Sequence, residues 1–538
     1  MKIIRSLCLL GLASGMAFAQ ANPPSSTNVA DEMKSLREAI AAQQKQIAEQ
    51  QKQLEALERQ LESQTAPTPH VENASLTNAP ANNTPAVQSD ADKPKTSPLS
   101  VRIGGTEFTP GGFVDFNNIF RTVNTGSVVS TGFNAIPYSN TPQGHLTEFR
   151  STGQYSRFNL RINGKYGENN FNGYIEGDFN GNDAGNVFVT TNPHTFRLRL
   201  YYLQLRRGIW EFTAGQAWGL LTPNKVGVST TPSELDTTMA TDGNIHVGVM
   251  YSRQGQFRVA VHPNDHFAWA VSVENPQQMQ ITAQTLFPGA ASLANIPTQA
   301  DGTAAGTVPN LFPDIVTKFA FDTKPHGHNF HLEAGALVTS AQLANQPAAG
   351  AAFVKNSTIG GGGFGGLNFA ITSKLRALGY GMYGDGVGRY FIGFGPQFVA
   401  KPVAITPTTF TAKPSMVHSG SGFGGLEFQA SAKTQIGAYY GGIYYQRNAF
   451  TDISVPTLPV IGFGGITASA AVNAAANKSI QQGSLIISQT LWKNPQFGAL
   501  VLLNDASYST RAPWFHPATA PKNAHMFMDH LVLRYVIP

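Results

Sequence analysis

Beyond its first two dozen positions the chain lacks any apolar run of about twenty residues, the length a helix needs to cross a bilayer, so a bundle of membrane-spanning helices is excluded. It is also short of charge. Asp, Glu, Lys and Arg make up 13% of the 538 residues, well under the roughly 25% of a soluble globular protein. Cysteine is almost missing: Cys8 is the only one, so a chain that has lost its first residues has no thiol, disulfide or cysteine metal site. The formal net charge of +5 is too small and too dispersed to suit nucleic acid. Glycine (54), phenylalanine (34) and tyrosine (16) fill the space. Little charge, much glycine and aromatic, and no long apolar segment point to a β-barrel of an outer membrane, where only alternate residues need be apolar.

The first part of the chain reads as three segments and a short spacer. Lys2 and Arg5, an apolar stretch from Leu7 to Phe18 and the triplet Ala17-Phe18-Ala19 form a secretory signal over 1–19. A short segment, 20–30, follows. Over 31–63, Met33, Ile40, Ile47, Leu54 and Leu61 take one heptad position and Leu36, Gln43, Gln50 and Leu57 the other. This spacing predicts a coiled coil on the periplasmic side, with Leu36, Ile40, Ile47, Leu54, Leu57 and Leu61 in its seam. A solvated single helix is the alternative, since Gln-, Ala- and Lys-rich tracts mimic heptads. Residues 64–98 are rich in Pro, Thr, Asn, Ala and Ser and read as a flexible linker.

From 99 to 538 the period becomes two. Arg157, Asn159, Arg161 and Asn163 alternate with Phe158, Leu160 and Ile162, and Arg197 and Arg199 alternate with Phe196, Leu198, Leu200 and Tyr202. Strands are expected near 108–121, 154–166, 171–180, 195–206, 209–218, 255–262, 266–275, 314–322, 328–339, 363–372, 375–384, 422–432, 435–446, 482–491, 496–505 and 525–537. Strands of about ten residues, joined by short and long connections in strict alternation, favour an all-β, sixteen-stranded antiparallel transmembrane barrel over a soluble sandwich; fourteen or eighteen strands stay open. Trp210, Trp218 and Trp269 are assigned to an interfacial girdle or to trimer packing on the lipid face, with an entrance-lining place for Trp218 as the alternative.

Several runs carry a family likeness: Gly111 to Asp115 (GGFVD), Ser156 to Arg161 (SRFNLR), Phe196 to Tyr202 (FRLRLYY), Phe212 to Trp218 (FTAGQAW), and the stretch from Tyr251 to Pro276. With the signal and the heptad helix before them, they make the chain resemble the DcaP-like trimeric outer-membrane transporters and, more distantly, phosphate-selective and carbohydrate porins. The resemblance implies a homotrimer of barrels embedded in outer-membrane lipid, passing small anionic solutes such as dicarboxylates, with no cofactor. The chain departs from the usual aromatic C-terminus of such barrels. It ends in Pro538, and Tyr535 is the candidate stand-in.

A pore selects by width and by rings of charge. Residues 99–538 hold 28 Lys plus Arg against 22 Asp plus Glu, a surplus of +6, and ten of their sixteen arginines fall between Arg121 and Arg258. Arg157, Arg161, Arg197, Arg199, Arg253 and Arg258 are the candidates for an anion-attracting wall. The long connection of about 219–254 is the third on its side, the one that folds into the barrel in trimeric porins. Two readings of the arginines stay open: a grip on solute carboxylates, or structural pairing with Glu176, Asp178, Glu211, Glu234, Asp236 and Asp242. His326 and His328 sit in a turn without the company a metal needs, and 360–366 lacks the Gly-Lys-Ser/Thr ending of a phosphate loop. No catalytic motif is legible. Carbohydrate or phosphate transport, or an envelope tether contacting periplasmic partners through the coil, are the alternatives.

Overall fold

The computed structural model describes Lys45 and residues 97–538, except 128, 182–194, 277–284, 290–298, 300–308, 393, 406–408 and 467–472. The signal, the short segment after it, the coiled coil apart from helical Lys45, and all but the end of the linker therefore lie outside the described residues.

Sixteen long strands form one antiparallel barrel: β1 Thr106–Arg121, β2 Arg157–Tyr166, β3 Asn169–Asp178, β4 Arg197–Arg207, β5 Trp210–Trp218, β6 Arg253–Val261, β7 Phe267–Glu274, β8 Asp314–Thr323, β9 Phe330–Asn345, β10 Val354–Ala370, β11 Leu375–Asp385, β12 His418–Gln429, β13 Thr434–Tyr445, β14 Asn477–Asn494, β15 Gly498–Pro513 and β16 Ala524–Val536. Each pairs with its neighbour in sequence. The ring closes where Phe113–Arg121 of β1 meets Met528–Val536 of β16, with Phe113 opposite Val536. Two short strands, Val101–Ile103 and Glu148–Thr152, add to β1 at either end. Closure leaves no unpaired edge, the condition for placing a sheet in hydrocarbon.

Turn chemistry sets the hairpins at one end. Tyr166 faces Asn169 and Arg207 faces Trp210, leaving two-residue connections. Gly167 and Gly208, the first residue of each, hold φ of +59° and +57°. That backbone suits the right-handed strand twist and favours glycine.

Alternation divides the wall into two faces. Phe158, Ile175, Leu203, Phe212, Phe257, Trp269, Phe319, Leu426 and Leu485 are exposed, as an apolar outer face requires, while Glu176, Asp178, Thr213, Lys318, Glu333 and Asp505 are buried. Every expected strand is present. Five, β9, β10, β12, β14 and β15, extend four residues or more past the expected limits on the long-connection side, where the ladder continues through polar residues such as Asn356 and Ser357.

Two assignments of face are corrected. The pairing of β3 with β4 shifts between Glu176 and Gly177, and the bulge puts Arg199 and Leu200 on the same side, both buried. Beyond it Tyr201 and Leu203 are exposed and Tyr202 is buried, so Leu200 and Tyr202 face inward rather than to lipid. Trp218 is the second correction: only 9% exposed, it packs among arginines, whereas Trp210 and Trp269 do lie on the outer face.

Candidate functional site

The connection between β5 and β6, residues 219–252, is buried along most of its length although it joins two surface strands. Leu220, Leu221, Val228, Leu235, Met239, Val247, Val249 and Met250 are all buried. The segment runs inside the barrel, and its backbone hydrogen bonds go to inward side chains of the wall. Lys318 of β8 donates to Thr222 O (2.9 Å) and Asn224 Oδ1 (2.6 Å) while pairing with Glu333 of β9 at 3.1 Å. Arg376 of β11 bridges Asp236 of the loop (2.6 Å) and Glu427 of β12 (2.8 Å).

On other parts of the wall, Met239 N donates to the Tyr439 hydroxyl (3.1 Å), and Thr241 N and Asn244 Nδ2 donate to the Asp505 carboxylate (2.9 and 2.7 Å). Val247 N donates to Gln482 Oε1 at 2.8 Å. Gly248, with φ of +98°, passes so close to β12 that a Cβ would lie 2.2 Å from Gly422 O. Strands on opposite sides of the barrel thus hold one loop across the lumen, as its length and position in the order of connections predict.

The six candidate arginines separate into two groups. Arg197 grips Asp178 through two nitrogens (2.9 and 2.7 Å). Arg199 reaches Glu176 (2.9 Å), Asp178 (3.0 Å) and, from the loop, Asp242 (3.5 Å); Arg157 also pairs with Asp242. These three are neutralised by three of the carboxylates considered as partners. Asp236 pairs with Arg376 instead, and Glu211 accepts from Gln204 at 2.8 Å.

Arg161, Arg253 and Arg258 have no ion pair among the described residues. Arg161 stands half-exposed on the inward phase of β2. Arg253 shares the alternation of Phe257, opposite to that of Arg258, and lies over the Trp218 ring at 5.6 Å, with Arg199 over the same ring at 5.5 Å. Arg258 is 1% exposed and donates to Trp218 O (2.6 Å) and Gln256 Oε1 (3.0 Å).

Sequence reasoning missed a second inward connection. After β11, Val387, Arg389, Tyr390, Phe391 and Phe394 are buried. Arg389 donates to Asp314 of β8 (2.5 Å) and to Pro276 O (2.9 Å), and Tyr390 O accepts from Tyr251 N of the third loop (3.2 Å). Phe394 meets Phe133 of the first long connection edge-on, with ring centroids 5.7 Å apart. Loss of water and the neighbouring Asp314 carboxylate raise the Tyr390 hydroxyl well above its usual range, against a lowering by Arg389. The adjacent aromatics of 390–394 in a polar connection were the available signal.

At the short-turn end lies a cavity of about 410 Å³, lined by Arg102, Glu107, Asn163, Lys165, Asn172, Gln204, Arg206 and Glu211 among others. The arrangement sets fixed charges on the inward face of the barrel and a loop across it. Among the described residues no group of three His, Cys, Asp or Glu side chains is placed to hold a metal ion.

No protein-family profile matches the chain, and no curated protein matches it significantly. Solved structures do. The outer membrane channel DcaP of Acinetobacter baumannii superposes with a TM-score of 0.54 at 15% identity, over 80% of this chain and 98% of that one. An anion-selective porin from Comamonas acidovorans covers 80% of this chain and 100% of its own at 11% identity, with a TM-score of 0.43. The chain has the fold of the outer membrane channel DcaP, and the resemblance expected from the sequence extends to three dimensions.

Proposed function

We propose that the protein is an anion-preferring porin of a bacterial outer membrane, passing small solutes such as dicarboxylates through a water-filled barrel, and not an enzyme. The observation that carries this reading is the closed sixteen-stranded wall, apolar outside and polar inside, crossed by one loop with an arginine-rich arc beside it. The short turns and the C-terminus lie at one end of the barrel, taken as periplasmic; a periplasmic coiled coil over 31–63, with any periplasmic partner it contacts, is part of the proposal. Assembly as a homotrimer is part of the proposal.

Of the arginine candidates, we assign the selective role first to Arg161, which faces the lumen without a carboxylate partner, and a structural role to buried Arg258. Carbohydrate transport is the less favoured reading, since inward aromatics such as Tyr174 and Tyr202 stack on each other (centroids 5.5 Å apart) and do not line an open path. Single-channel recording with succinate, phosphate and glucose tests the proposal. Both anions are expected to permeate or to block chloride current, and glucose to do neither; block by glucose alone contradicts it.

A further inference from the structure

The first long connection and the connection after β11 are tied to different parts of the wall and meet over the lumen. Asn477 Nδ2 of β14 donates to Asn134 O of the first (2.8 Å), and Arg511 Nε of β15 donates to its Ile136 O (2.6 Å). The Arg511 guanidinium also lies over the Tyr138 ring at 4.3 Å. The connection after β11 is held elsewhere. Arg389 reaches Asp314 of β8 (2.5 Å) and the Thr339 hydroxyl of β9 (3.1 Å), and Gln397 Nε2 donates to the same hydroxyl (3.1 Å). β8 and β9 stand six places from β14 and β15 in the ring of sixteen.

Across that gap the two connections meet through apolar side chains. Phe133 and Phe394 touch edge-on, and Ile136, Phe391 and Tyr445 of β13 are buried in the same cluster, with the Phe391 and Tyr445 rings 6.4 Å apart. Both connections rest on the third loop. Thr131 N and Oγ1 donate to Gly243 O (3.2 and 2.9 Å), while Tyr251 N donates to Tyr390 O. The strand ladder closes without this bridge, so barrel formation does not call for it. Its position does something else: an apolar constriction sheds water, and ions stop where water does.

The seat of Phe394 is strained. Ile392, two residues before it, holds φ of +59°, a backbone region that a β-branched residue rarely adopts. Ile392 packs against the same apolar cluster. Strain of this kind lasts only while the surrounding packing enforces it. A segment parted from Phe133 therefore relaxes away from the lumen and does not hold its place.

We propose that the Phe133–Phe394 contact is a hydrophobic gate on the long-connection side of the third loop. It is shut in this conformation and opens when Phe391, Ile392 and Phe394 move off the first connection. The inference goes beyond charge preference. It rests on the channel reading for the current that the gate controls, not for the contact itself.

The double variant Phe133→Cys, Phe394→Cys tests the gate, with the two thiols joined by a short bifunctional methanethiosulfonate that dithiothreitol removes. Cys8 is the only cysteine of the sequence and lies in the expected signal, so no other thiol competes in the exported chain. Resistance to unfolding on unheated gels verifies the barrel. In planar bilayers the reduced variant, which lacks both rings, is expected to conduct at least as well as wild type. The linked variant should lose most of its current, and dithiothreitol should restore it. Phe394→Ser alone should spend a larger fraction of time open than wild type. Linked protein that conducts as the reduced form does, thiols that cannot be linked in the folded barrel, or unchanged gating in Phe394→Ser overturns the gate and leaves the channel reading standing. No current from the reduced variant or from wild type overturns the channel reading, and the gate with it.

Discussion

Replacing Asp242 with asparagine isolates the link between the third loop and selectivity. Arg157, Arg197 and Arg199 are balanced by Glu176, Asp178 and Asp242, so the cluster is close to neutral. Asp242 is the one acid with access to water: its side chain is 27% exposed, against 4% for Glu176 and 1% for Asp178. Asparagine keeps the shape and one acceptor oxygen but leaves a net charge of about +1. For an ion passing at roughly 8 Å in a water-like medium, one charge is worth about 0.5 kcal/mol. That roughly doubles the local anion concentration and halves the cation concentration, so the anion-to-cation permeability ratio should rise about fourfold. The Debye length is about 10 Å at 0.1 M salt and about 3 Å at 1 M, so reversal potentials measured in dilute KCl gradients should show the shift and concentrated ones should lose it. Asp242→Glu is the control and should stay near wild type. A ratio for Asp242→Asn equal to wild type at low salt would mean that permeating ions do not pass this cluster, and the site as drawn would be wrong.

Arg161→Ser should reduce anion preference in the same assay with little loss of stability. Arg258→Ser should instead weaken the barrel by about 2 kcal/mol through the buried Trp218 carbonyl left unpaired; a lower unfolding temperature for Arg161→Ser but not Arg258→Ser reverses the roles. Gly248→Ala sets a Cβ against Gly422 O in a backbone conformation that favours glycine, costing the loop's seat about 1–3 kcal/mol. Larger single-channel conductance and faster proteolysis of the loop are expected, and wild-type behaviour in both tells against the inward path. Burial pulls the imidazole of His246 in the loop down to about 4, against hydrogen bonds it donates to the Val247 and Tyr439 backbone, which raise it. An unseated loop takes up a proton below pH 6.5 that the seated loop refuses until about pH 4, so seating is fully stabilised above pH 6.5 and loses up to about 3 kcal/mol as pH falls through that window. Loop protection against protease should fall between pH 6.5 and 4.5, and an unchanged fall in His246→Asn removes this explanation.

The strands were legible because the bilayer demands an apolar residue at every second position, and that demand is written residue by residue in runs such as Phe158 to Ile162. It stops at the membrane's edge. The outer reaches of β10 around Lys355 and Ser357 carry no such signal and lie outside the strand expected near 363–372. Alternation also misleads where a bulge intervenes. The run from Arg197 to Tyr202 alternates well on paper, yet an extra residue opposite Glu176 turns Leu200 and Tyr202 inward, and a bulge of this kind leaves no mark in composition. The third loop was recognisable from its length and order. Asp242 was among the acids weighed as arginine partners, but that it is Arg157 and Arg199 it neutralises was not legible, because the pairing spans 85 and 43 residues of chain and depends on how the loop crosses the barrel. For the same reason the six arginines looked alike in sequence and differ in space.

The most direct test of the central claim is the reversal potential of the purified protein in a planar bilayer under a KCl gradient at low ionic strength. A channel with this charge lining should set the potential toward the chloride equilibrium value, while a potential on the potassium side, or no conductance in any salt, would contradict an anion-preferring porin.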